Sequence, residues 1–371
     1  MNDADLATLN ATVVGGAFAL AFLFGFVAQR SNFCTMGAVS DIVNIGDWTR
    51  MRMWLTAMAV AILGANGMAW LGIIDLSKSI YQAPAVTWLS YLIGGVCFGF
   101  GMTLASGCGS KTLLRIGSGS LKSVVVFLVL GITAYMTLRG IFGVFRVSAL
   151  DPVRITLAGT QDLPSILARA GAGDKKTLQL ALGVLFGSAL LAFAFKSREF
   201  RNVENWLPGV IIGAVIAGGW YLSGKVGYLP EHPKTLEEAF LATNSGRMES
   251  LSYVAPIAYT LEWFMLWSDK SKVATLGIAS VFGLIAGSFV YSIFTRTFRW
   301  EGFRDAEDTG NHLAGGALMG FGGVTALGCT VGQGLTGVST LAVGSFISLG
   351  AIIGGSWLAF RYQIWRIENS D

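Results

Sequence analysis

Hydrophobic positions along this chain fall into long blocks, with no strand-like alternation. Nine blocks stand out, at about 12–29, 51–74, 88–106, 121–143, 177–195, 206–224, 273–294, 311–327 and 336–360. Each approaches the ~20 residues an α-helix needs to cross hydrocarbon. The pattern predicts an all-α integral membrane protein with about nine transmembrane helices. Shorter semi-polar pieces lie between the blocks. They are "SNFCTMGAVSDIV" after the first block, "APIAYTLEWFMLW" before the seventh, and two Gly-Cys segments after the third and eighth. They are too short to span and read as half-helices or re-entrant segments. Irregular backbone at membrane depth is tolerated only when buried in protein or lining a cavity. Two longer loops, about 144–176 and 225–254, hold much of the charge. Neither is large enough to form a second domain, so residues 1–371 read as a single membrane domain.

The Gly-Cys segments expose an internal repeat. "YLIGGVCFGFGMTLASGC" (91–108) lies over "HLAGGALMGFGGVTALGC" (312–329) without a gap, with nine identities in eighteen positions. The first repeat then covers about 12–143 and the second about 206–360, joined by a connecting span at about 177–195. Four spans return the first half to the side where it began, and the connecting span crosses once. The second half therefore starts from the opposite face. Such inverted repeats are a transporter architecture, with the substrate site near the midplane at the repeat interface.

Composition agrees with the pattern: 53% of residues are hydrophobic, 13% are charged, and mean hydropathy is +0.61. Soluble domains carry about 25% charged residues. Forty-nine glycines and eleven tryptophans suit close helix packing and interfacial anchoring. The acidic start, "MNDADLATLN", lacks the basic n-region of a cleavable signal peptide, so the first apolar block is expected to be retained. No basic run or long polar tail suggests nucleic acid. Short linkers on one side carry a dense set of basic residues, including Arg30, Arg50, Arg52, Lys111, Arg115, Lys122, Arg198, Arg299 and Arg361. Charge density in short loops marks that side as cytoplasmic, which puts the N-terminus outside and the C-terminus inside.

The candidate chemistry is sulfur. Gly94, Gly101 and Cys108 are spaced by seven, as are Gly315, Gly322 and Cys329. Seven residues is nearly two helical turns, with a drift of only ~20°. Each cysteine thus closes a glycine stripe that permits close helix packing, at the point where the helix breaks. Packing alone is the competing reading, with the cysteine merely a small residue. Cys34 sits among Ser31, Asn32 and Thr35 and is a third pathway candidate, or else an incidental buried thiol in a polar linker. Cys97 is read as filler, because its repeat mate is Leu318. The cysteines form no C-x-x-C pair, and neither His232 nor His312 lies at ligand spacing from one, so no metal and no cofactor are expected. "GSKT" (109–112) is no P-loop, because Ser110 separates Gly109 from Lys111. Free N–H groups at a Gly-rich turn entering a helix still attract an anion. Lys111 adds charge there, or serves only as a cytoplasmic-side topology residue. The expected pathway comprises Cys34, Cys108 and Cys329 with Gly107, Gly109, Ser110, Lys111, Gly328 and Thr330. Carboxylates are scarce in the spans, and Glu262 is the nearest candidate for proton coupling.

Together, the paired Gly-Cys repeats, "RSNFCTMGA" and "GCGSKTLLRIGSGSLKS" resemble the YeeE/YedE family of bacterial inner-membrane sulfur transporters, over nearly the whole chain. The resemblance implies an hourglass-shaped inverted-repeat protein that takes up thiosulfate. It implies that Cys34, Cys108 and Cys329 are successive way-stations. It further implies a small cytoplasmic TusA-like sulfurtransferase as partner, of which no fused copy is present, and surrounding membrane lipid. Some members of the family are linked to selenium, so the cargo is less specified than the fold. The competing functions are transport of another sulfur or selenium species, a membrane thiol or persulfide-transfer enzyme, and a channel for a neutral or cationic solute. Single separated thiols disfavour the enzyme, which would need a vicinal or resolving cysteine.

Overall fold

The computed structural model describes residues 3–369 and is almost wholly helical. Its long helices are α1 (Asp3–Ser31), α3 (Thr49–Trp70), α4 (Trp88–Leu104), α6 (Leu121–Arg139), α9 (Lys175–Phe195), α10 (Val203–Tyr221), α12 (Leu276–Phe294), α13 (Ala306–Thr325) and α14 (Val343–Glu368). Between them lie the short helices α2 (Thr35–Ile45), α5 (Gly109–Gly117), α7 (Ile141–Phe145), α8 (Leu163–Arg169) and α11 (Ala255–Met265). Among the described residues, eight helical segments are long and apolar enough to cross a membrane. The ninth expected span, 311–327, is α13. It has the length, with 20 residues, but Glu307, Asp308, His312 and its glycines lower its hydropathy. The reason is its place: α13 packs between α4 and α6, so much of its surface meets protein.

Several span ends differ from the pattern, beginning with α1, which starts at Asp3 and not near 12, and α13, which starts at Ala306 and not near 311. α3 stops at Trp70, and Gly72 then takes a left-handed φ of 72°. α6 stops at Arg139, before Gly140. The last span begins at Val343, because 330–339 form a short helix of their own that contains a π segment, Gly332–Gly337. All four short semi-polar pieces are half-helices: α2, α5, α11 and residues 330–339.

Glycine decides how the long helices meet. A Cβ on Gly101 would lie 2.7 Å from the Gly315 carbonyl, and one on Gly322 would lie 2.5 Å from the Gly94 carbonyl. The two predicted stripes therefore pack directly on each other, and the pairing of Gly101 with Gly315 and Gly94 with Gly322 makes α4 and α13 antiparallel. Around this pair, α4 runs beside α14, as Gly95 against Ser348 and Gly99 against Ser356 show, and α13 runs beside α6, with Gly316 against Val126 and Gly320 against Leu130. Both of these contacts are parallel. α1 with α12 and α3 with α10 form a second matched set, also parallel. Exchanging α1 with α10, α3 with α12, α4 with α13 and α6 with α14 maps these contacts onto each other, which is the signature of an inverted repeat. α9 lies outside this exchange and packs on α3.

The loops on one face are tied together by two short antiparallel pairs, Ala85–Val86 with Ile155–Thr156 and Tyr228–Leu229 with Ala239–Phe240. An ion pair between Lys78 and Glu238, joined by the Tyr228 hydroxyl, adds a further link.

Candidate functional site

The two Gly-Cys segments share one backbone geometry. After α4, Ser106 adopts a left-handed φ of 56°. After α13, Leu327 adopts 60°. In the first, Gly107 N–H bonds the Met102 carbonyl at 2.8 Å and Ser106 N–H bonds Thr103 at 3.2 Å. In the second, Gly328 N–H bonds Gly323 at 2.7 Å and Leu327 N–H bonds Val324 at 3.0 Å. These are the 6→1 and 5→2 bonds of a Schellman stop. The left-handed residue is usually glycine; Ser and Leu there cost roughly 1–2 kcal/mol each. The chain then turns to extended backbone at Cys108, with φ −76° and ψ 177°, before α5 begins. Each thiol thus sits in the gap between a helix end and a half-helix start.

All three thiols expected on a pathway are buried, with 7% exposure at Cys34, 1% at Cys108 and 0% at Cys329. Cys34 caps α2, its sulfur accepting from Gly37 N–H at 3.4 Å. Cys329 does the same for its half-helix, accepting from Gly332 N–H at 3.3 Å. The Cys108 sulfur lies 3.2 Å from the Ser110 hydroxyl. Cys108 is a near neighbour of both Cys34 and Cys329. The structure therefore sets the three thiols in a row with Cys108 in the middle. Cys97 is half-buried on α4 and stands apart from them.

The fourth half-helix completes the arrangement. α11 is preceded by Val254, which occupies the place in the second half that Cys34 holds in the first. Its preceding residues reach the thiols: the Tyr253 carbonyl abuts Gly109, Ser252 abuts Gly332, and the Tyr253 backbone N–H bears on the Cys329 sulfur. Four half-helix N-termini are thus gathered around the row of thiols, and two of them, those of α2 and of residues 330–339, are capped by a cysteine sulfur. Each N-terminus presents free N–H groups and about half a positive charge, a field that favours an anion.

A cavity opens on each side. One, of about 160 Å³, is lined by Asn244, Glu249, Ser252, Tyr259, Leu327 and Gly328. The other, of about 320 Å³, is lined by Gln29, Asn32, Lys111, Arg115, Arg299 and Glu301. Lys111 folds over Gly107, where a Cβ would sit 3.0 Å from its Cγ. Gly109, Ser110 and Thr330 are buried beside the thiols. Glu262 is drawn away from them into an ion pair with Lys272 at 2.7 Å, with the Tyr135 hydroxyl at 3.2 Å.

Glu249, in the loop before α11, accepts from Ser245 at 2.9 Å and Asn244 N–H at 3.3 Å. Burial outweighs these bonds and pushes its carboxyl up to about 7. The folded protein then holds a proton that the unfolded chain releases near its ordinary 4.5. The contribution of this group to stability is fully present below about 4.5 and declines as pH rises towards 7. Glu249→Gln is expected to flatten the fall in melting temperature across that window. An unchanged pH profile in the variant would show that the carboxyl ionises freely.

Sequence reasoning missed Tyr253, Ser252 and Val254. The available signal was weak: "NFCTMGA" over "SYVAPIA" shares one alanine and one aromatic position.

Comparison with known proteins bears on this geometry. The pattern of the family described as Sulphur transport matches residues 30–358. The thiosulfate transporter TsuA of Escherichia coli K12 is 29% identical over 352 residues, covering 91% of each chain. TsuA of Spirochaeta thermophila is 26% identical, covering 92% of this chain and 97% of its own. The probable transporter YedE of Escherichia coli K12 is 28% identical over 116 residues, covering 31% of this chain and 27% of its own.

Proposed function

The chain belongs to the sulphur-transport family, and from that premise we propose that it carries thiosulfate through the row Cys329, Cys108, Cys34. The observation that carries the reading is the row itself: three buried thiols at half-helix starts, between a cavity lined by Glu249 and Arg146 and a more basic one lined by Lys111, Arg115, Arg299 and Glu301. Thiosulfate is a dianion with one soft sulfur and three hard oxygens. Stripping its water is very costly unless fixed dipoles replace it, and the gathered N-termini supply them. Thiols are weak donors; they contact the soft sulfur and release it, as conduction through successive sites requires.

We assign uptake as the direction and the bacterial inner membrane as the location. Charge density puts Arg115, Lys111 and Arg299 on the cytoplasmic side, where basic side chains draw the anion out of the row. A small TusA-like sulfurtransferase would meet it there.

The test is uptake of labelled thiosulfate by cells that lack their own sulfate and thiosulfate carriers. Expression of this chain is expected to restore it, with unlabelled thiosulfate competing and sulfate not. Uptake of selenite or sulfide in place of thiosulfate would reassign the cargo. In the same assay Cys97→Ala is expected to behave as wild type, because its side chain lies outside the row. Lost uptake at normal protein level would place Cys97 on the pathway.

A further inference from the structure

Resting on the transport reading above, we propose that the Tyr253 hydroxyl donates a hydrogen bond to the oxygen end of the anion as it passes between Cys329 and Cys108. Tyr253 is 0% exposed, and its hydroxyl has no hydrogen-bond partner among the described residues. A buried hydroxyl without a partner forfeits its hydration for nothing, so native structures rarely leave one. The neighbouring Thr330 hydroxyl, beside Cys329, is in the same condition. Two orphaned donors flank one end of the thiol row.

The position of Tyr253 is that of a partition. Its neighbour Ser252 lines the cavity on the Glu249 side. Its own backbone touches both Gly109, next to Cys108, and the Cys329 sulfur. Tyr253 thus stands one residue from the cavity wall and against both thiol segments.

Packing does not account for the hydroxyl. The Tyr253 ring meets the Phe24 ring edge-on, with centroids 5.9 Å apart and planes at 71°. Phe33 meets the same Phe24 at 6.2 Å and 78°. Phe33 precedes Cys34 and α2 as Tyr253 precedes Val254 and α11. The two residues are therefore repeat mates packed on one ring, and one of them does the packing without a hydroxyl. Tyr253 also adjoins the one half-helix start that lacks a thiol, since Val254 holds there the place that Cys34 holds before α2. An oxygen donor there complements the sulfur sites: thiols meet the soft sulfur of thiosulfate, while a phenol meets its sulfonate oxygens.

The test is Tyr253→Phe, which keeps the ring and removes only the oxygen. Protein level and melting temperature without substrate are expected to equal wild type or exceed it, because an unpartnered polar atom is gone. Thiosulfate uptake is expected to fall at least ten-fold, and the rise in melting temperature that thiosulfate gives the purified wild-type protein is expected to disappear. Wild-type uptake in Tyr253→Phe, with Cys108→Ala inactive in the same cells, overturns the role of Tyr253 and leaves the transport reading standing. A variant that fails to accumulate overturns it as well, since the hydroxyl would then be structural. Absence of uptake by the wild-type chain overturns both.

Discussion

Cys108→Ala is expected to abolish thiosulfate uptake while the protein inserts and accumulates normally. Cys108 is the middle thiol of the row, 1% exposed, in the extended link between the α4 stop and the α5 start. Removing its sulfur leaves the backbone geometry intact, because the Schellman bonds run through Met102, Thr103, Ser106 and Gly107. It leaves the field of the helix ends and removes the one soft contact between Cys329 and Cys34. Losing a contact of roughly 1–3 kcal/mol slows passage by about five- to over a hundred-fold. Cys108→Ser is expected to rescue poorly, since oxygen is smaller and harder than sulfur. Uptake assays paired with quantified membrane protein check both variants. Wild-type uptake by Cys108→Ala would reduce the motif to a packing device.

Gly322→Val is expected to strip the protein of stability, independently of any transport. A Cβ there would lie 2.5 Å from both the Gly94 carbonyl and the Phe98 backbone nitrogen, and 3.0 Å from the Phe98 Cα. All three are main-chain atoms of α4, so no side chain can rotate away. Overpacking of this kind costs about 1–3 kcal/mol or more, and Val adds two methyl groups beyond the Cβ. A loss near the top of that range lowers the melting temperature by about 4 °C in a chain of this length, with reduced accumulation in the membrane. Gly350→Ala is the matched control, since a Cβ at that position meets nothing within 4 Å. It is expected to be neutral or slightly stabilising through helix propensity. Equal melting of Gly322→Val and wild type would refute the antiparallel stripe contact.

The sequence by itself determined the class and displayed the repeat, with a cysteine at each of three helix breaks. Apolar blocks report the length of hydrocarbon to be crossed, a one-dimensional quantity that needs no tertiary information. The Gly-Cys repeat was legible because identical helix breaks and identical packing demand identical residues at identical spacing. α13 was legible by that same repeat even though its hydropathy is low, because Gly315 and Gly322 answer to α4 and not to lipid. Tertiary structure alone decided what the stripes pack on. A seven-residue glycine spacing permits close approach to any neighbour, and only the assembled bundle makes that neighbour the other stripe. It alone put Ser106 and Leu327 in the left-handed positions that the flanking glycines would have been expected to fill. Tyr253 was invisible for a related reason. Its place beside Cys329 and Gly109 arises from the start of α11, more than seventy residues from Cys329 and over a hundred from Gly109. A lone tyrosine before a half-helix carries no local signature. Whether its hydroxyl finds a partner depends on every element packed around it, and only the folded chain brings those elements together.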